Sequence, residues 1–186
     1  MRSCPNKPAG ANTNTIYITQ GLLGPYTAKT LGVYKCPADK IPSRGGPRVR
    51  SVSMNTYLAR QDDAGNYVAL SPSGTYKKFT ELKNPTMIWV FVDEHPDSIN
   101  DAAFAVQMAV PSMPLTMGDV RIIDFPASYH NGACGFSFAD GHSEIHKWHG
   151  SSIRLPVTGV YIHLDNPAGD AKNDIVWLSD VTTVAK

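Results

Sequence analysis

Long apolar runs are missing from this chain. Nothing in its 186 residues approaches the ~18 consecutive apolar residues that a bilayer-spanning helix needs. The opening Met1-Arg2-Ser3-Cys4-Pro5 lacks the basic and apolar stretches of a secretory signal. An excess of one charge sign is also absent, with 17 basic against 16 acidic residues and no Lys/Arg-rich run. Nucleic acid and anionic membrane therefore have no electrostatic support as partners. There is no Gly-x-Ser-x-Gly elbow, no EF-hand spacing, and no internal repeat or low-complexity tract. Cysteine is scarce, and the three present (Cys4, Cys36, Cys134) cannot all pair within one chain. What the chain does have is 15 Gly and 14 Pro, which argue for many turns and few long helices. The length suits one domain, residues 1–186, with a single core.

Along the chain, a polar arm ends in a short extended piece at Ile16-Tyr17-Ile18. A short helix is expected between Gly21 and Gly32, with Leu22, Leu23, Tyr26 and Leu31 facing inward. Val33–Cys36 reads as a brief strand stopped by Pro37, and Arg48–Leu58 as an alternating strand. Gln61–Gly65 reads as a turn, and Phe79–Leu82 as one helical turn closed by Asn84-Pro85. Met87–Val92 is nearly continuous apolar sequence of strand length, expected to be a central strand buried on both sides. Ala102–Val106 reads as another strand, and Val120–Phe125 leads into the segment that follows. Strands outnumber helices, so the fold class is α+β and strand-dominated: an antiparallel sheet with long Pro/Gly-rich loops.

The stretch Phe125–Trp148, FPASYHNGACGFSFADGHSEIHKW, organises the rest. Asp140-Gly141 between two alternating segments signals a hairpin with a two-residue type I′ turn. That turn pairs Ala139 with His142, Phe138 with Ser143, and Phe136 with Ile145. Cys134, Phe136, Phe138 and Ile145 then face the core. His142, Glu144, His146 and Trp148 lie on the opposite face, over the small residues Gly135, Ser137 and Ala139, which leave room for something to lie across them.

His130, nine intervening residues and then Asp140-Gly141 resemble the signature of the prepilin-type His-X9-Asp-Gly proteins. These are type II secretion pseudopilin-like (PulG-like) proteins, abundant in Verrucomicrobia, Planctomycetes and Lentisphaerae. Gly21–Lys40, Arg48–Tyr57, Trp89–Phe104 and Asp174–Thr183 are similar to segments of the same family, in the family's order, and together they span nearly the whole chain. The resemblance implies the globular head of a pseudopilus or type IV pilus-like subunit, exported to the periplasm or beyond. Its partners would be other pilin or pseudopilin subunits. The family opens on a methylated apolar helix that is not found in this sequence, and that assembly helix is expected to have been cut away. In an exported head, Cys4–Cys36 could close a loop of about thirty residues, worth roughly 3–4 kcal/mol on the chain-entropy argument. Three unpaired thiols are the competing expectation. The segment itself is expected to make no membrane contact.

Three constellations could carry chemistry. Asp93-Glu94-His95-Pro96-Asp97 through Asp101 follows the central strand, where active sites often sit. It reads as a polar turn, as a cation site using Asp97 and Asp101, or as part of a catalytic cleft. The histidines His130, His142, His146 and His149 form the second. On a strand His142 and His146 lie roughly 13 Å apart and cannot share an ion without a bend. The third is Asp165–Asp174, where Asp165, Asp170, Asn173 and Asp174 interleave like an oxygen-ligated calcium loop. Major pseudopilins carry a calcium site near their C-terminus, so the resemblance makes Ca2+ the cofactor to expect, if there is one.

Two other functions compete with the filament head. A secreted hydrolase of glycoside or ester bonds, metal-dependent or not, would use Asp93, Glu94, His95, His130 and Asp140. It requires Asp93 or Glu94 within a few Å of His130 in a pocket. A carbohydrate-binding module would present His142, His146 and Trp148 to a polysaccharide and requires coplanar exposed rings. A filament head should show neither, and its first residues should emerge at one end of the sheet.

Overall fold

The computed structural model describes residues 11–43, 45–58, 76, 78–108 and 119–182. The strands are β1 (Val52–Asn55), β2 (Trp89–Asp93), β3 (Ala103–Phe104), β4 (Arg121–Ile122), β5 (Ala133–Phe138), β6 (Ser143–Lys147) and β7 (Asn166–Pro167). The helices are the single turn α1 (Ile16–Thr19) and the longer α2 (Lys172–Asp180). Short 3-10 turns fill the connections, including Gly24–Thr27, Leu31–Tyr34 and Phe79–Glu81. The protein is thus α+β and strand-dominated.

Five strands form the main sheet in the order β3-β1-β2-β5-β6, and β4 pairs with β7 in a separate two-stranded ladder. The sheet is mixed rather than antiparallel. β1 runs parallel to β3, because the chain leaves β2, turns through residues 94–102 and returns beside β1. The apolar run at 87–92 does become the central strand, flanked by β1 and β5. It is not sealed on both faces, since Val90 and Phe91 are only half-buried.

Side-chain alternation splits the sheet into two surfaces. Trp89, Val92, Phe136 and Phe138 point inward with Ser53 and Asn55 of β1. The inner face packs against Ile175 and Leu178 of α2, the segment Val120–Ala127, Trp148 and Ile153. Phe136 is the hub of this core. All three tryptophans of the chain, Trp89, Trp148 and Trp177, meet it edge-on at ring-centroid distances of 5.5–6.0 Å. Asn55 ties the layers together, donating to the carbonyls of Trp89 at 2.9 Å and Thr182 at 2.8 Å.

The turn at Asp140 is one residue longer than the sequence suggests. Gly141 N–H donates to Phe138 O and Phe138 N–H donates to His142 O, so Ala139-Asp140-Gly141 forms a three-residue loop with Gly141 at φ +96°. The register becomes Ser137 with Ser143, Gly135 with Ile145 and Cys134 with His146. A one-residue slip moves every side chain of β6 to the other face. His146 and Trp148 therefore join Phe136 on the inner side, and Trp148 is 1% exposed with its indole N–H donating to Ala127 O. Ile145 moves outward and is 71% exposed. The type I′ turn lies earlier, at Asn131-Gly132 (φ +54° and +78°), where His130 and Ala133 exchange backbone hydrogen bonds.

The N-terminal third also departs from expectation. Ile16–Thr19 is a helical turn rather than an extended piece, and Leu31–Tyr34 is a 3-10 turn rather than a strand. Leu22 and Tyr26 point to solvent, at 93% and 87% exposure, instead of inward. Gln61–Gly65 and Cys4 lie outside the described residues. Among the described residues no helix is long and apolar enough to cross a membrane.

Candidate functional site

Consecutive residues along an extended chain face opposite ways, and β2 ends on Asp93 with Glu94 directly after it. Asp93 emerges on the outer face of the sheet and Glu94 on the inner. Glu94 is fully buried, accepting hydrogen bonds from the hydroxyls of Ser53 and Ser98. Burial, reinforced by nearby Asp124, pushes its carboxyl up to about 8. It lies on the inner side of the sheet, away from the face that carries Asp93 and His130.

Asp93 takes part in the main constellation. Its Oδ2 lies 3.6 Å from His130 Nε2, and the same nitrogen lies 3.2 Å from Cys36 Sγ. Three separate segments build this corner. Cys36 follows the 3-10 turn at 31–34 and is pinned by its N–H donating to Ser51 Oγ at 2.7 Å. Asp93 closes β2 and His130 opens the Asn131-Gly132 turn before β5. Tyr129 packs edge-on to the His130 ring at 5.2 Å, and its buried hydroxyl finds no hydrogen bond of good geometry although Asp93, Cys36 and Ser51 lie beside it. Burial raises the Asp93 carboxyl, while His130 and the Gly135 N–H pull it back. Burial raises the Cys36 thiol as well, and Asp93 adds to the effect. Burial and the neighbouring Asp93 also push the Tyr129 phenol upward.

This geometry is unsuited to a nucleophilic triad. A base oriented by a carboxylate uses its two ring nitrogens for different partners, whereas here thiol and carboxylate share Nε2. A nucleophilic cysteine also needs a lowered pKa, and this one is raised. The donor atoms converge instead, all within 4.8 Å of one another, as ligands around a point do. Among the described residues this is the one Cys/His/Asp/Glu group close enough to hold a metal ion.

The corner opens onto a groove of about 740 Å³ on the outer sheet face. Its floor is Phe91, Gly135 and Ser137, and its walls are Ile145 on one side and Leu23, Tyr26 and Val33 on the other. The small residues at 135 and 137 do leave the expected space, though Ile145 rather than His146 or Trp148 borders it.

The remaining candidates do not assemble. His95 is buried and neutral, Nδ1 accepting from Asp97 N–H and Nε2 donating to Leu155 O. Asp97 accepts from the backbone of Thr158 and Gly159, and Asp101 from Ala103 N–H, so both are turn acceptors rather than cation ligands. Asp140 pairs with its neighbour His142 at 2.6 Å, and that imidazole stacks on Phe138. The 165–174 segment is no open calcium loop, because it winds through a 3-10 turn at Gly169–Ala171 into α2. Asp165 is engaged by Arg121, Asp170 by the backbone and hydroxyls of Ser151 and Ser152, and Asp174 by the N–H groups of His149 and Gly150. Asn173 is exposed on α2.

No protein-family model matches the chain, and no curated protein or solved structure does.

Cys36 was absent from the catalytic and metal candidates read from the sequence. No spacing could have supplied it, because 94 residues separate it from His130. Only the placement of the 31–36 turn above the sheet joins them.

Proposed function

We propose that this chain is the globular head of a pseudopilin-like filament subunit, working outside the inner membrane by assembly rather than turnover. The carrying observation is the outer sheet face. Largely antiparallel sheets such as this one commonly leave one face to water, and such a face is normally polar. Here Leu23, Tyr26, Val33, Phe91 and Ile145 line a groove that is apolar and open. Exposed apolar grooves of this kind mark interaction sites, and an apolar helix laid across small floor residues is a recurrent occupant. Calcium is not part of the proposal, since the acids expected to bind it are engaged elsewhere.

Cross-linking tests this reading. An Ile145→Cys chain, treated in the producing cells with a bifunctional thiol reagent, is expected to yield multimers joined through residue 145. Exclusively monomeric recovery would count against it.

The Asp93–His130 contact of 3.6 Å beside the groove is one that a filament head is expected to lack, and it favours a second reading, a secreted hydrolase. That reading expects turnover of glycoside or ester substrates that is lost in His130→Asn. The carbohydrate-binding module loses its main residue, because Trp148 is core.

A further inference from the structure

We infer that Cys36, Asp93 and His130 form a three-ligand site for a thiophilic first-row dication, with Zn2+ as its occupant. The site is independent of whether the chain assembles or hydrolyses. Tetrahedral zinc holds S, N and O ligands at about 2.0–2.3 Å, which places neighbouring donor atoms about 3.3–3.6 Å apart. The observed separations are 3.2 Å between Cys36 Sγ and His130 Nε2 and 3.6 Å between His130 Nε2 and Asp93 Oδ2. All three donors lie within 4.8 Å of one another, close enough for side-chain rotation to seat an ion among them.

The donor set selects the metal. A thiolate with an imidazole suits zinc and disfavours calcium and magnesium, which prefer all-oxygen shells. His130 presents one nitrogen to both other donors, the arrangement expected when all three aim at a common point. The side chains of His130 and Asp93 are 34% and 12% exposed, so one side of the site reaches solvent and a water can complete the tetrahedron. The Tyr129 hydroxyl, buried without a good partner, is placed to donate to a ligand and hold it in position. Bound metal would clip the 31–36 arm to the end of β2 and to the turn before β5, fixing one wall of the groove.

Cobalt reports the site directly. The full chain is reduced, stripped with chelator and titrated with Co2+, then with Zn2+ in competition. The expected result is one equivalent of tetrahedral Co2+ with a thiolate charge-transfer band, displaced by Zn2+. Cys4→Ser and Cys134→Ser should keep the band, and Cys36→Ser and His130→Asn should lose it, weakening binding by more than about 100-fold. Tyr129→Phe should weaken it by roughly 10-fold, as loss of an outer-shell partner does. Thermal unfolding in chelator confirms that each variant is folded. Absence of a thiolate–cobalt spectrum in the folded wild-type chain would overturn the assignment, as would its persistence in Cys36→Ser.

Discussion

The His146 imidazole lies flat on the Trp177 indole, with ring centroids 3.4 Å apart and planes 10° from parallel. This contact joins edge strand β6 to helix α2, and burial lowers the His146 pKa toward the neutral ring. Stacking of this kind adds to the area the rings bury. Trp177→Ala is expected to cost about 3 kcal/mol, at the low end for a large aromatic because the side chain is half-buried. Urea denaturation monitored by far-UV circular dichroism measures it. A loss under about 1 kcal/mol would mean that α2 is held without this stack.

Asp174 satisfies the N–H groups of His149 and Gly150 just after β6, from the first turn of α2. Asp174→Ala leaves the buried Gly150 N–H and the part-buried His149 N–H unpaired, and a buried orphan of this kind costs about 1–3 kcal/mol. Asp174→Asn keeps an acceptor and should recover part of the loss. Equal destabilisation by the two substitutions would show that the charge, not the acceptor, matters.

Asp124 is a buried acid whose Oδ2 accepts from Ala105 N–H while its Oδ1 has no partner. Burial pushes its carboxyl up to about 6 from an ordinary value of 3.8, against the pull of the Ala105 N–H. The folded chain therefore holds the proton more tightly than the unfolded one. The stabilisation is complete below pH 3.8 and is lost as pH rises through about 6. Glu94, raised by burial, acts in the same direction up to about pH 8. The melting temperature of Asp124→Asn should fall less steeply between pH 4 and pH 7 than that of the wild type. Parallel curves would contradict the assignment.

Ile145 offers a test of register. In the observed pairing it is exposed opposite Gly135, so Ile145→Lys should change stability by no more than about 0.5 kcal/mol. In the alternative register with a two-residue turn it would be core, and the same change would cost several-fold more. Chemical denaturation separates the two.

The fold class and the central strand were readable because a continuous apolar run at 87–92 has one physical solution, a strand among strands. Alternation along Ala133–Phe138 puts Cys134, Phe136 and Phe138 on one face, and all three are buried. The β6 faces were misread because two turn signals compete within twelve residues. Asn131-Gly132 takes the two-residue I′ geometry, while Asp140-Gly141 sits in a longer loop, and one extra residue reverses the parity of all that follows. The short turns at 24–34 carry apolar residues without a period, so composition alone suggested an inward helix. In the candidate site, Asp93 and His130 were both visible as chemistry-bearing residues. Cys36 was visible only as a possible disulfide partner, and its thiol is free beside them.

The back-to-back placement of Asp93 and Glu94 makes the end of β2 a partition, with a partly open corner beside Cys36 and His130 on one side and a sealed polar interior of Ser53, Ser98 and Asp124 on the other. One peptide bond separates the acids, yet each answers to its own surroundings. Sequence drift can retune either without disturbing its neighbour, provided the strand never gains or loses a single residue upstream.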